Sequence, residues 1–244
     1  MTDSGFNDQS HRRLEASRRA DAYRTVVHRL EAAAKQAGRR PADILLLAVS
    51  KGQPAAAIEE LSGLGQRDFG ESYLQEALPK IAHLGDQRLI WHFIGPLQSN
   101  KCRDVAARFD WVHSVDRPQA ADRLDRLRPA HLPPLQVCLQ VKLSPETQKS
   151  GAEPDDLLTL ARHVSLRPRL RLRGLMTIPE PSPDSAVQRA NYARLTALFR
   201  MLRAAGHDLD TLSMGMSDDL EAAILEGSTL VRVGRALFGA RTAR

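Results

Sequence analysis

Cysteine is scarce. Cys102 and Cys138 are the only two, too few and too far apart for a disulfide scaffold or a CxxC metal or redox motif, and they read as reduced thiols of a cytoplasmic protein. Long apolar runs are missing too. No uninterrupted stretch approaches the roughly 20 residues of a membrane span, and the segment from Met1 to Arg13 carries Asp3 and Asp8 without the apolar core of a secretory signal. A soluble cytoplasmic chain with no membrane partner is the expectation. Aromatic residues make up only 5%, which leaves out the stacking platform of a single-strand nucleic-acid binder. The net charge of +6 and pI near 9.7 favour an anionic partner of some kind. The arginines are spread over many helical segments, so they read as a solvated basic surface, and no specific nucleic-acid partner is expected.

What is present is ordinary globular composition, with 42% hydrophobic and 26% charged residues. A length of 244 residues suits a single α/β barrel. Residues 1–10 are polar and aperiodic and read as a flexible tail, followed by one domain over 11–244. His11 to Gly38 shows helical spacing, with Leu14, Ala20, Tyr23, Val27, Leu30 and Ala34 on one face and Ser17 completing the steps. Eight strand candidates follow: Ile44–Val49, Arg67–Gly70, Leu89–Ile94, Trp111–Val115, Leu135–Val141, Leu170–Ile178, Thr211–Met214 and Leu230–Val233. Helical segments of about 10–20 residues separate most of them, the pattern of parallel βαβ units. Eight units without a long linker predict one closed (β/α)8 barrel of TIM type, preceded by an extra N-terminal helix.

In such a barrel the chemistry gathers where strands end. The first strand ends in Ser50-Lys51. A lysine against apolar strands loses its proton more easily than a free one, and its neutral amine attacks carbonyls. Position alone leaves Lys51 equally readable as a lysine reaching out to solvent. After the seventh strand, Met214-Gly215-Met216-Ser217 runs into a helix that Ser217 could cap, and after the eighth come Gly234 and Arg235. Together these describe an anion cradle between neighbouring strand ends. They equally describe a plain helix cap and a chain turn, with Asp218 and Asp219 in the first helical turn. Arg232, near the end of its strand, is expected to point inward without a carboxylate partner, where a heteroaromatic nitrogen or an anion could satisfy it. His92, His113 and Asp116 lack metal-ligand spacing and read as structural, and no metal is expected. No G-x-S-x-G elbow is present. Arg169, Arg171 and Arg173 alternate along the entrance to the sixth strand and read as a solvated face.

Several stretches resemble one family as a set: Ala48-Val49-Ser50-Lys51, Phe69-Gly70-Glu71, the run from Trp91 to Lys101, Gly174-Leu175-Met176, Ser213 to Asp219, and Arg232-Val233-Gly234. Over roughly residues 15–241 the chain is similar to the pyridoxal phosphate homeostasis proteins, whose fold resembles the N-terminal barrel of alanine racemase. The resemblance implies that pyridoxal 5'-phosphate (PLP) is the cofactor, joined as a Schiff base to Lys51. It further implies that Ser217 and Gly234 hold the phosphate and that Arg232 faces the pyridine nitrogen. The cofactor-binding set carried over is Lys51, Asn100, Met214, Ser217, Arg232, Gly234 and Arg235, with no catalytic residue.

An arginine at the ring nitrogen opposes its protonation and weakens the ring as an electron sink. At 244 residues the chain is not expected to carry the second domain of alanine racemase. A PLP carrier that takes part in intracellular PLP homeostasis is therefore expected, without amino-acid turnover, as a monomer, with PLP-accepting apoenzymes as candidate partners. The alternative is a PLP-dependent racemase or lyase of narrow specificity. Three positions depart from the family pattern: Ser72 and Lys142 stand where Asn is common, and Arg235 where a small Ser or Thr is frequent. Lys142 is the departure of most consequence, because a second amine near the ring could compete with Lys51.

Overall fold

The run Leu45-Leu46-Leu47-Ala48-Val49 has no polar side chain to offer water, and it forms β1 (Leu45–Val49) with its C-terminal three residues fully covered. The computed structural model of the chain describes residues 4–143 and 150–239, with side chains from Glu15 on except Asp86. Seven further strands follow: β2 (Asp68–Glu71), β3 (Ile90–Phe93), β4 (Trp111–Val115), β5 (Leu135–Gln140), β6 (Leu170–Met176), β7 (Thr211–Ser213) and β8 (Leu230–Val233). Each pairs in parallel with the next, and β8 returns to β1 with Leu45 opposite Leu230 and Ala48 opposite Val233, closing the barrel. The expected (β/α)8 architecture is what forms.

The crossovers are α2 (Ala55–Gly63), α3 (Leu74–His83), α4 (Cys102–Arg108), α5 (Pro118–Leu127), α6 (Leu157–Ser165), α7 (Ser185–Ala204) and α8 (Leu220–Leu225), with a last turn α9 (Arg235–Phe238). Local chemistry sets their ends. Pro118 occupies the first turn of α5, where its missing N–H costs nothing. The Asp184 carboxylate caps α7 by accepting the Ala186 amide at 2.8 Å.

The N-terminal helix α1 (Ser4–Gln36) starts before the expected His11 and stops before Gly38. Residues 1–3 of the expected tail and 240–244 of the expected domain lie outside the described residues. The covered face of α1 is carried by Val26, Leu30, Ala33 and Ala34, while Ser17 is exposed and Val27 only half-buried. The stripe is thus rotated from the expected one, and α1 packs on α8 and α9. Arg29 then reaches across, donating to Glu221 at 2.7 and 2.9 Å and to the Ser217 carbonyl at 3.0 Å. Through Arg29 the extra helix braces the loop that follows β7. Among the described residues no helix is long and apolar enough to cross a membrane.

Candidate functional site

The C-terminal ends of β1, β2, β3, β7 and β8 border a cavity of about 590 Å³, a size that suits a cofactor. Of the seven residues expected to bind, Lys51, Ser217, Arg232, Gly234 and Arg235 line this cavity. Met214 is fully buried in the hydrophobic core, and Met216 faces the cavity in its place. Asn100 is exposed in the 3-10 turn before α4 and does not line the cavity.

Lys51 is half-buried at the end of β1, and the turn after it is held by the Gly52 amide donating to Glu76 Oε2 at 2.9 Å. Next to it lies a buried pair, Glu71 with Lys80, of which the sequence reading named only Glu71. Glu71, fully buried, accepts from the Ser50 hydroxyl and from Lys80 Nζ, both at 2.7 Å, and Lys80 also donates to the Ser50 carbonyl at 2.9 Å. The second Glu71 oxygen, Oε2, is buried without a hydrogen-bond partner. Burial raises the Glu71 pKa, opposed by the nearby Lys80 ammonium. The signal for this pair was present in α3, where Leu74, Ala77 and Lys80 fall three residues apart on the buried stripe. A lysine on an apolar stripe requires a buried acceptor.

The anion end is built differently from the expected cap. Residues 217–219 form a turn, and α8 begins only at Leu220, so Ser217 is not its cap and Asp218 and Asp219 precede its first turn. The turn is closed by Asp219, whose Oδ1 accepts the Met216 amide at 2.6 Å and whose Oδ2 accepts the Tyr192 hydroxyl at 2.8 Å. Burial and the Asp219 charge push the Tyr192 pKa well up, so it stays a donor. With its cap role removed, the Ser217 hydroxyl faces the start of α9 and accepts the Ala236 amide at 3.3 Å. Gly215 carries φ +95°, and a Cβ there would stand 2.6 Å from the Ala223 side chain. A Cβ on Gly234 would press on the Val49 carbonyl at 3.3 Å. Arg235 is exposed and ion-paired with Asp218. Tyr192→Phe is expected to strand a buried carboxylate oxygen and cost about 1–3 kcal/mol in urea unfolding. An unchanged midpoint would mean Asp219 is held without it.

Arg232 points inward as expected, and among the described residues no carboxylate is in direct contact with it. Instead Nη1 donates to the Ser213 carbonyl at 2.6 Å and hydroxyl at 2.9 Å, and Nη2 to the Thr177 carbonyl at 2.8 Å. Desolvation pulls its pKa down, partly offset by Tyr192 and Asp219. Neutral protein oxygens therefore carry hydrogen bonds that a ring nitrogen or an anion could also have met.

Residues 19–242 match the model of the alanine racemase N-terminal domain. The Pyridoxal phosphate homeostasis protein of Pseudomonas aeruginosa is 60% identical over 91% of this chain and 95% of its own length. That of Escherichia coli is 52% identical over 88% and 94%. The chain belongs to the pyridoxal phosphate homeostasis protein family. The structure of PipY from Synechococcus elongatus with PLP bound superposes with a TM-score of 0.77 at 41% identity, covering 88% of this chain and 100% of that one. Alanine racemase from Corynebacterium glutamicum, at 17% identity and a TM-score of 0.66 over 91% of this chain and 62% of that one, shares the fold.

Within the family, two departures are clarified by the geometry. Lys142 lines a separate pocket of about 250 Å³ that adjoins the main cavity through Ile94 and Ile178. Its Nζ donates to Glu153 at 3.2 Å. That contact directs the side chain toward Glu153, and Lys142 is not among the residues lining the Lys51 cavity. Ser72 is buried at the edge of the Lys51 cavity. Among the described residues no cluster of three or more potential ligands could hold a metal ion.

Proposed function

We propose that this protein binds PLP in the cavity at the barrel mouth and holds it reversibly through Lys51, as a carrier in PLP homeostasis. One observation carries this reading: the Lys51 amine, the inward Arg232 and an anion cradle of Ser217, Gly234 and Arg235 converge on a single cavity of about 590 Å³. These residues fit the cofactor. The glycines at 215 and 234 let the backbone pack closely on Ala223 and Val49 beside the cradle, and the Ser217 hydroxyl and Arg235 supply donors for a phosphate dianion.

Bound PLP would supply an aldehyde able to condense reversibly with an amine, and Lys51 is the residue that would hold it in this way. Arg232 faces the ring nitrogen in this reading and opposes its protonation. None of the protein's three tyrosines lines the cavity. Tyr192 is buried on Asp219, Tyr23 lies on α1, and Tyr73 precedes α3. Their placement supports holding over proton exchange at an amino acid. The chain is a monomer in this reading and passes PLP to apoenzymes that lack it.

Purified protein incubated with PLP and then dialysed is expected to stay yellow at one PLP per chain. A colourless protein would overturn the reading. Arg235→Ala is expected to weaken PLP retention only about 2–5-fold, because an exposed arginine already shared with Asp218 contributes about 1 kcal/mol or less. Equilibrium dialysis at two salt concentrations checks this, and a loss of 100-fold would make Arg235 the main phosphate ligand.

A further inference from the structure

Inside the barrel, below the cavity, five polar side chains touch in sequence. Arg232 Nη1 lies 2.9 Å from Ser213 Oγ, Ser213 Oγ 2.8 Å from His113 Nδ1, His113 Nε2 3.0 Å from His92 Nδ1, and His92 Nε2 3.0 Å from Asp68 Oδ1. The four inner residues Arg232, Ser213, His113 and His92 are all buried, and Asp68 stands at the first position of β2, at the opposite end of the barrel from Lys51. The chain is braced as well as bonded. His92 stacks on Trp111 at 5.3 Å with ring planes 11° apart, and Arg173 covers Trp111 at 4.7 Å while pairing with Asp210. The pairing of β4 with β5 shifts register between Val112 and Val115, the interval that contains His113.

We infer that these residues form a one-way hydrogen-bonded relay that couples Arg232, and through it the ring of bound PLP, to the Asp68 carboxylate at the far end of the barrel. The inference rests on the reading of Arg232 as the partner of the ring nitrogen. Its direction follows from the two ends. A carboxylate only accepts, so His92 Nε2 carries a proton; a guanidinium only donates, so Ser213 Oγ accepts. Between them, one arrangement adds no buried cation and leaves no proton unplaced: Ser213 donates to His113 Nδ1, and His113 Nε2–H donates to His92 Nδ1. The reverse arrangement needs an imidazolium at His92 and strands the Ser213 proton.

Such a chain polarises in concert, so the Asp68 charge lowers the positive potential that Arg232 presents to the cofactor. Arg232 also senses Tyr192, Asp219 and Cys138 from other elements, and His113 senses His92 and Arg232. Those groups remain in place when Asp68 or Ser213 is changed. Ser213, His113, His92 and Asp68 are positioning residues, acting on PLP only through Arg232.

Two measurements on the full chain test this. Long-range 1H–15N spectra should show His92 and His113 both as Nε2–H tautomers. An Nδ1–H on His113 or an imidazolium at His92 would overturn the direction. In the PLP-loaded protein, Asp68→Asn and Ser213→Ala should each lower the pH at which the visible band is lost by about half a unit, because a more positive site disfavours a protonated nitrogen there. In an Arg232→Gln background neither change should shift that midpoint further. Equal shifts in both backgrounds, or none in either, would overturn the coupling. A wild-type protein that takes up no PLP would instead remove the proposed function, while the tautomer measurement would still judge the relay.

Discussion

Lys51→Ala is expected to abolish the visible band of the PLP-loaded protein and to weaken retention by about 100-fold or more, equivalent to ~3 kcal/mol. The phosphate cradle does not depend on Lys51, so a weak, colour-shifted complex should survive at high PLP concentration and be displaced by inorganic phosphate. Absorbance titration of the variant beside the wild type checks both parts. Lys142 could rescue the band only by leaving Glu153 and reaching from the adjoining pocket. A yellow Lys51→Ala protein would show that it does.

The second large effect concerns stability. Lys80→Met is expected to destabilise the fold by about 3–5 kcal/mol, because it leaves Glu71 as a fully buried charge without its counter-ion. Glu71 already has one oxygen without a partner and a pKa raised by burial, so the variant should drive it to its protonated form. Since Ser50 bonds to the same carboxylate oxygen, the turn carrying Lys51 should loosen and PLP retention should fall with stability. The double change Glu71→Gln with Lys80→Met removes both charges and should recover much of the loss. Denaturant unfolding of the two variants checks this. Equal loss in both would mean that the pair's shape, not its charge, matters.

How far the sequence led depended on what each position had to satisfy. The eight strands were legible because short, mostly apolar runs alternate with helical segments, and Trp111–Val115 and Leu230–Val233 form with the expected bounds. Helix α1 was legible as a helix but not in its rotation, since alanine and valine both fit a half-covered surface and only the neighbouring helices choose between them.

At the site, Lys51, Ser217, Arg232, Gly234 and Arg235 could be placed from strand ends alone. The cap role of Ser217 failed because Asp219, two residues on, closes the turn with its own carboxylate and delays α8. A ring nitrogen or an anion was one way to satisfy Arg232, yet its partners are the Ser213 and Thr177 oxygens. Carbonyl acceptors leave no trace in a sequence. The buried histidines read as structural for want of metal spacing, and their link to Arg232 appears only when β3, β4, β7 and β8 face one another across the closed barrel. Tyr192 and Asp219, 27 residues apart, belong to different elements and carried no local signal.

Borohydride reduction of the PLP-loaded protein, followed by peptide mapping, bears most directly on Lys51 as the residue that holds the cofactor. The expected result is one phosphopyridoxyl group per chain on the peptide containing Lys51. Label on Lys142 or Lys101 with Lys51 unmodified, or no label at all on a protein shown to be saturated, would contradict it.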